Sequence, residues 1–217
     1  SLAGPNFVRC TELRVPVARH CDVVAEIALG SQGEDLTGRV LGVIHLKDVV
    51  KPGMTERFEQ QLQALRQGVF EGSEHLREVI RDSPQLEGMG TTLIAFIRSG
   101  SKLAMANIGD SRAYQLRDGK FTQITKDHSF VQSLLDSGRI TPNEAVHHPQ
   151  RSLVTRVLTG REGDVPDLSL REARVGDRYL LCSDGLSDYV GARTIEEIFT
   201  EGASKSVGEV ADSLIEI

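Results

Sequence analysis

Apolar and polar positions change period along the chain, and the changes mark its elements. Arg39–Leu46 is an apolar, β-branched run and predicts a strand. Thr55–Leu65 carries Phe58, Leu62 and Leu65 at helical spacing. Val69–Ile80 continues the pattern with Val69, Phe70, Leu76, Val79 and Ile80, so two helices are expected before Ser83–Pro84 ends them. Beyond a glycine turn at Gly88, Thr91–Ile97 and Leu103–Ile108 read as apolar strands joined at Ser99–Gly100–Ser101. Ala113–Leu116 and Phe121–Ile124 flank Arg117–Asp118–Gly119–Lys120, a hairpin turn in which Asp-Gly supplies the positive φ. Ser129 is placed to cap a helix whose apolar face is Phe130, Val131, Leu134 and Leu135, and Ser137–Gly138–Arg139 stops it. Thr141 and Pro142 open another, broken at His147–His148–Pro149. Gln150–Gly160 reads as a helical or turn segment, Asp167–Ala173 as a strand, and Arg178–Ser183 as a buried strand after a turn at Gly176–Asp177. Thr194 is the expected cap for Ile195–Phe199, and Val207–Ile217 is helical in pattern. Residues 1–35 offer only candidate strands at Val15–Val17 and Val23–Leu29. Strand meanders with clustered helices predict a layered α+β architecture, and the adjacent hairpin strands exclude a purely parallel sheet.

Composition narrows the class. A chain of 217 residues, 39% hydrophobic and 26% charged, can build one sizeable domain with its own core. A net charge of −6 with no basic block argues against nucleic acid as a partner. No apolar run approaches a membrane span in length. The three cysteines, Cys10, Cys21 and Cys182, have no metal-like spacing, and the odd count fits a reducing compartment, so a cytoplasmic location is expected. His20–Cys21–Asp22 has ligand-type residues without a second spaced pair, and His45 and His75 stand alone; none is assigned a role. The chain starts at Ser1 and stops within a helical pattern at Ile217, so a fold incomplete at both ends is expected.

Candidate chemistry lies at two strand ends. Leu103–Ile108 stops on Gly109–Asp110–Ser111, and the apolar run from Tyr179 stops on Asp184–Gly185. Burying an unpaired carboxylate is costly. Two strands that each end in Asp beside Gly can aim oxygen ligands at a hard divalent cation. The competing reading of both is a turn-forming Asp next to Gly.

Glu87–Gly-Met-Gly-Thr-Thr92, Ile108–Gly-Asp-Ser-Arg112, Gln123–Ile-Thr-Lys-Asp127 and Leu181–Cys-Ser-Asp-Gly-Leu-Ser187 occur in an order and spacing that resembles the PPM (PP2C) type of metal-dependent Ser/Thr protein phosphatase, bacterial subgroup. The likeness covers about residues 71–190. It implies a β-sandwich flanked by helices (PP2C-like), a Mn²⁺ or Mg²⁺ cluster, and a metal-bound water that attacks phosphoserine or phosphothreonine in proteins. Phosphorylated proteins, the substrates of Ser/Thr kinases, are the implied partners, and a monomer is expected. By the same likeness Asp184 matches a cluster ligand and Asp110 a ligand of a further, weakly held metal. Gly138–Arg-Ile-Thr-Pro142 and His148–Pro-Gln-Arg-Ser152 look like the subgroup's flap, with Ser152 near that metal.

The first third departs from the pattern. The family's Asp-Gly-Met-Gly-Gly-His motif, whose Asp bridges both metals, is absent, as is its closing Gly-Pro-Asp-Asn strand. Gly38–Phe58 instead looks like a segment of the catalytic subunit of potassium-transporting P-type ATPases, without that family's phosphorylated Asp-Lys-Thr-Gly motif. The expected division is an atypical part over 1–59 and a phosphatase domain over 60–217 lacking its final strand. Asp48 follows an apolar strand much as the missing bridging Asp would, and is a third metal candidate. The functional expectation is hydrolysis of phosphoserine and phosphothreonine in proteins. The alternatives are a catalytically impaired module that binds phosphoproteins or a kinase, and a non-functional chimeric fragment.

Overall fold

The computed structural model describes residues 22–30, 41–45 and 58–217. Cys10, Cys21, Asp48, the expected strand at Val15–Val17 and the helix start at Thr55 lie outside them. Two antiparallel four-stranded sheets face each other. The first runs β1 (Asp22–Gly30), β3 (Gly90–Ser99), β4 (Lys102–Ile108) and β7 (Asp167–Glu172). The second runs β2 (Leu41–His45), β8 (Arg178–Cys182), β5 (Arg112–Arg117) and β6 (Lys120–Gln123).

Period-two alternation sorts the side chains into three apolar layers. Ile94 and Phe96 of β3 point between the sheets, where they meet Leu103, Met105, Ala113, Tyr179 and Leu181. The Phe96 and Tyr179 rings meet edge-on, with centroids 5.8 Å apart. Leu93, Ala95 and Ile97, the alternate residues of β3, point outward onto Leu65 and Val69 of α1 (Phe58–Asp82). On the second sheet Tyr114, Leu116, Leu180 and Cys182 point outward onto α5 (Ala192–Glu201) and α6 (Val207–Ile215), through Ile195, Phe199, Val210 and Leu214. Central strands buried on both faces must be apolar throughout, which is why the runs around β3, β4 and β8 read so clearly. The result is the helix-flanked α+β sandwich expected.

Two local expectations change and one resolves. The two helices predicted over 55–80 form one, α1. Gly68 costs about 1 kcal/mol inside a helix, but Leu65 and Val69 sit one turn apart and are both buried on the first sheet, which holds the turn between them. Gln150–Gly160, expected as a helical or turn segment, takes the turn form, with turns over 149–152. Its backbone is used in long-range bridges, Ser129 with Val154 and Thr91 with Leu158. Helix α5 starts at Ala192, capped by Gly191 rather than Thr194. The remaining signals hold. Asp118 and Gly119 take φ of 51° and 75° in the β5–β6 turn. Ser129 caps α2 (Phe130–Asp136), and Thr141 forms a capping box with Glu144 on α3 (Pro142–Val146). Among the described residues no helix is long and apolar enough to cross a membrane.

Candidate metal centre

Register decides where the two expected carboxylates go. Arg112 opens β5 and pairs with Cys182, which closes β8. The strands are antiparallel, so the chain ahead of Arg112 and the chain beyond Cys182 leave the sheet at the same end. Asp110 lies just upstream of the first and Asp184 just downstream of the second. The fold therefore brings them into electrostatic contact: after burial, the charge of Asp184 is the largest influence raising the Asp110 carboxyl.

The turn that carries Asp110 crosses from β4 in one sheet to β5 in the other. Gly109 takes φ of 109°, and a Cβ there would lie 2.3 Å from Thr92 Cγ2. Only glycine fits both the dihedral and the contact. Thr92 Oγ1 and Ser111 Oγ, 2.9 Å apart, close the other side of the turn. The Gly-Thr-Thr start of β3 is thus the bed on which Gly109–Ser111 lies. Asp184 opens the one-turn helix α4 (Asp184–Ser187), and the Asp188 N–H donates to its carbonyl at 2.8 Å.

Charge at this end is lopsided. Burial, then Asp184, and after them Asp127 and Asp188, push the Asp110 carboxyl up to about 7, against its own backbone N–H. Asp188 is also raised, by burial and then Asp184, with Arg112 and Arg151 opposing. Asp127 is compensated: Arg112 donates to its Oδ2 from Nε at 2.9 Å and Nη2 at 2.7 Å, and Gln123 Nε2 donates to Oδ1 at 2.9 Å. With the Arg112 fork committed to Asp127, negative charge is left in excess around Asp110, Asp184 and Asp188. Asp110 is half-buried and Asp184 and Asp188 are exposed at its rim; hard carboxylate oxygens in such an anionic place fit Mg²⁺ or Mn²⁺ better than softer metals. Among the described residues no three His, Cys, Asp or Glu side chains converge tightly enough to hold an ion by themselves. These carboxylates supply part of a coordination shell.

A second segment grips the same turn from below. His128, 7% exposed, accepts the Gly109 N–H at Nδ1 (3.0 Å), while its own N–H donates to the Gly109 carbonyl at 2.9 Å. Its Nε2 lies 3.0 Å from Asp167 Oδ2, and Arg156 Nη1 donates to Asp167 Oδ1 at 3.0 Å.

Of the residues singled out from the sequence, Asp110 and Asp184 come together. Ser152 is exposed, and its neighbour Arg151 is near enough to act on Asp188. Asp48 lies outside the described residues. Asp188, Asp127 and His128 were not singled out for chemistry. The signal for Asp188 is its place four residues after Asp184, one helical turn on. Asp127 closes the Gln123–Asp127 motif and His128 follows it, but nothing local gives either its role, because their partners Arg112 and Gly109 are remote in sequence.

The chain is similar to bacterial serine/threonine phosphatases. It is 54% identical over 156 residues to the serine/threonine protein phosphatase PstP of Mycobacterium tuberculosis, a match covering 72% of this chain and 30% of PstP. It is 38% identical over 152 residues to the serine/threonine phosphatase stp of Listeria welshimeri, covering 70% of this chain and 59% of that one. The chain thus spans less than a third of the length of PstP. The crystal structure of the M. tuberculosis PstP/Ppp phosphatase superposes with a TM-score of 0.71 at 39% identity, covering 90% of this chain and 91% of the other. The PstP catalytic domain in complex with two manganese ions superposes with a TM-score of 0.67 at 38% identity, covering 90% of each chain. A sequence model of the protein phosphatase 2C family matches residues 35–214, most of the chain, and the chain belongs to that family.

Proposed function

We propose that this chain is a metal-dependent protein phosphatase that hydrolyses phosphoserine and phosphothreonine in proteins. The observation that carries the reading is the meeting of Asp110 and Asp184 at one end of the sandwich, with Asp110 raised to about 7 by burial and by Asp184. Such a pair calls for a cation. Mn²⁺ suits its oxygens, and a relative's catalytic domain holds two manganese ions; Mg²⁺ suits the same donors. Asp184, Asp110 and Asp188 are the side chains that would hold it. When bound, the metal supplies an activated water and offsets charge on the phosphoryl oxygens. The chain's own residues arrange the rest: Arg112 neutralises Asp127 beside the carboxylates, Gly109 and Thr92 set the turn, and Arg151 with Ser152 brings the flap toward Asp188. Asp48, which lies outside the described residues, is a further candidate ligand from its place after an apolar strand in the sequence. The likeness of residues 38–58 to P-type ATPases finds no support in the relatives, and the protein phosphatase 2C match over 35–214 runs through that segment.

In this reading the substrates are the products of Ser/Thr kinases, met by a monomer in the cytoplasm. The lack of three converging ligands among the described residues favours one other reading, a module that binds phosphoproteins without turnover. Hydrolysis of p-nitrophenyl phosphate and of a phosphothreonine peptide, titrated with Mn²⁺, separates the two. Turnover that rises with Mn²⁺ and disappears in Asp184→Asn is expected. Absence of turnover at millimolar Mn²⁺, with peptide binding retained, establishes the module instead.

A further inference from the structure

We propose that His128 is a positioning residue for the metal centre: its Nδ1 holds the Gly109 amide and so fixes the direction in which Asp110 presents its carboxylate. The inference rests on the reading of Asp110 as a metal ligand.

The hydrogen bonds determine the state of the ring. Gly109 N–H can donate to Nδ1 only if Nδ1 carries no proton. The proton is then on Nε2, which donates to Asp167 Oδ2 at 3.0 Å. Arg156 Nη1 also lies 3.0 Å from Nε2, but a protonated nitrogen cannot accept. The Arg156 guanidinium instead donates to Asp167 Oδ1, from Nη1 at 3.0 Å and Nη2 at 3.1 Å. Asp167 is in turn fixed by strand register opposite Asn107 on β4. A relay therefore runs from Arg156 through Asp167 and the imidazole to the amide one residue before Asp110. It follows the logic by which outer partners set the tautomer and aim of inner groups.

Residue 128 grips Gly109 twice, by side chain at N and by backbone at O. The backbone bond survives any substitution except proline, so the turn stays docked and only the side-chain bond is lost. Gly109 has no Cβ to resist rotation about φ, and its freedom passes directly to Asp110. The imidazole amide bond removes that freedom.

Two near-isosteric variants separate the two ends of the ring. In His128→Asn the amide oxygen occupies the place of Nδ1 and can accept from Gly109, but nothing reaches Asp167. In His128→Gln the amide reaches Asp167 but cannot accept from Gly109. Calorimetric Mn²⁺ titration and thermal melts in EDTA are run on both, with Asp110→Asn as reference. His128→Asn is expected to melt earlier yet bind Mn²⁺ within about threefold of the unaltered chain. His128→Gln is expected to bind the Asp110-dependent Mn²⁺ roughly tenfold or more weakly, the usual scale for losing an outer partner. Equal Mn²⁺ affinities for the two variants overturn the proposal, because a packing role would not tell one ring nitrogen from the other. An unchanged isotherm in Asp110→Asn overturns the ligand assignment itself, independently of His128.

Discussion

Replacing Gly109 by alanine tests how the site is built. Two penalties are expected. A positive φ of 109° strains an L-residue by about 1–3 kcal/mol. The new methyl would also sit 2.3 Å from Thr92 Cγ2 and 2.5 Å from Thr92 Cβ, so β3 or the turn must shift, at about 1–3 kcal/mol for overpacking. Gly176 isolates the first penalty. It has φ of 92°, and a Cβ there would meet nothing within 4 Å. The gain from a stiffer unfolded chain, about 0.4–1 kcal/mol, is common to both variants and cancels in their difference. Gly176→Ala should therefore destabilise by about 1 kcal/mol and Gly109→Ala by about 1–3 kcal/mol more, in urea melts of the EDTA-treated chain with unchanged m-values. Mn²⁺ binding should weaken in Gly109→Ala only, because only that turn carries Asp110. Equal destabilisation of the two, within about 0.5 kcal/mol, refutes the claim that Thr92 and Gly109 are fitted to each other.

Other substitutions probe the supports. Arg112→Met should cost about 3 kcal/mol by stranding the buried Asp127 carboxylate, and adding Asp127→Asn should recover at least about 1 kcal/mol in a double-mutant cycle by denaturant melts. Asp177, 2% exposed, accepts from Arg117 Nε at 2.7 Å, Arg117 Nη2 at 2.6 Å, the Arg174 N–H at 2.8 Å and Tyr179 OH at 3.0 Å. Burial works to raise its carboxyl, but these donors hold it below the usual range. A lowered folded pKa stabilises above the unfolded value, near 3.9, and is lost as pH falls through the lower folded value. Asp177→Asn should thus lower Tm at pH 7, with the gap to the unaltered chain closing below about pH 4. Gly160→Ala would put a methyl 2.7 Å from Arg77 N on α1 at a φ of 76°, and should loosen the 159–164 loop, read as lost amide protection there in hydrogen exchange.

Much of the frame was legible because the central strands are buried on both faces, and a strand with no solvent side advertises itself as an unbroken apolar run. Caps and hairpin turns were legible too, since Ser129, Thr141 and Asp118–Gly119 act on neighbours close in sequence. What escaped depends on distant partners. Nothing in Gln150–Gly160 reveals that Thr91 and Ser129 will take its backbone bonds. Gly68 suggests a break that Leu65 and Val69 remove by packing on the first sheet. For the site, Asp110 and Asp184 stood out as acids at strand ends. Asp127 and His128 did not, because their meaning lies in Arg112 and in the Gly109 amide, reached only after folding.

The turn bearing Asp110 leaves one sheet and enters the other, so it is a rivet between the layers as well as a holder of oxygen. Sliding one layer against its neighbour would pull Gly109 off Thr92 and turn Asp110 away from Asp184 while leaving every ladder of hydrogen bonds intact. On warming, the centre should therefore fail ahead of the scaffold, with ion capture fading while far-ultraviolet dichroism stays unchanged.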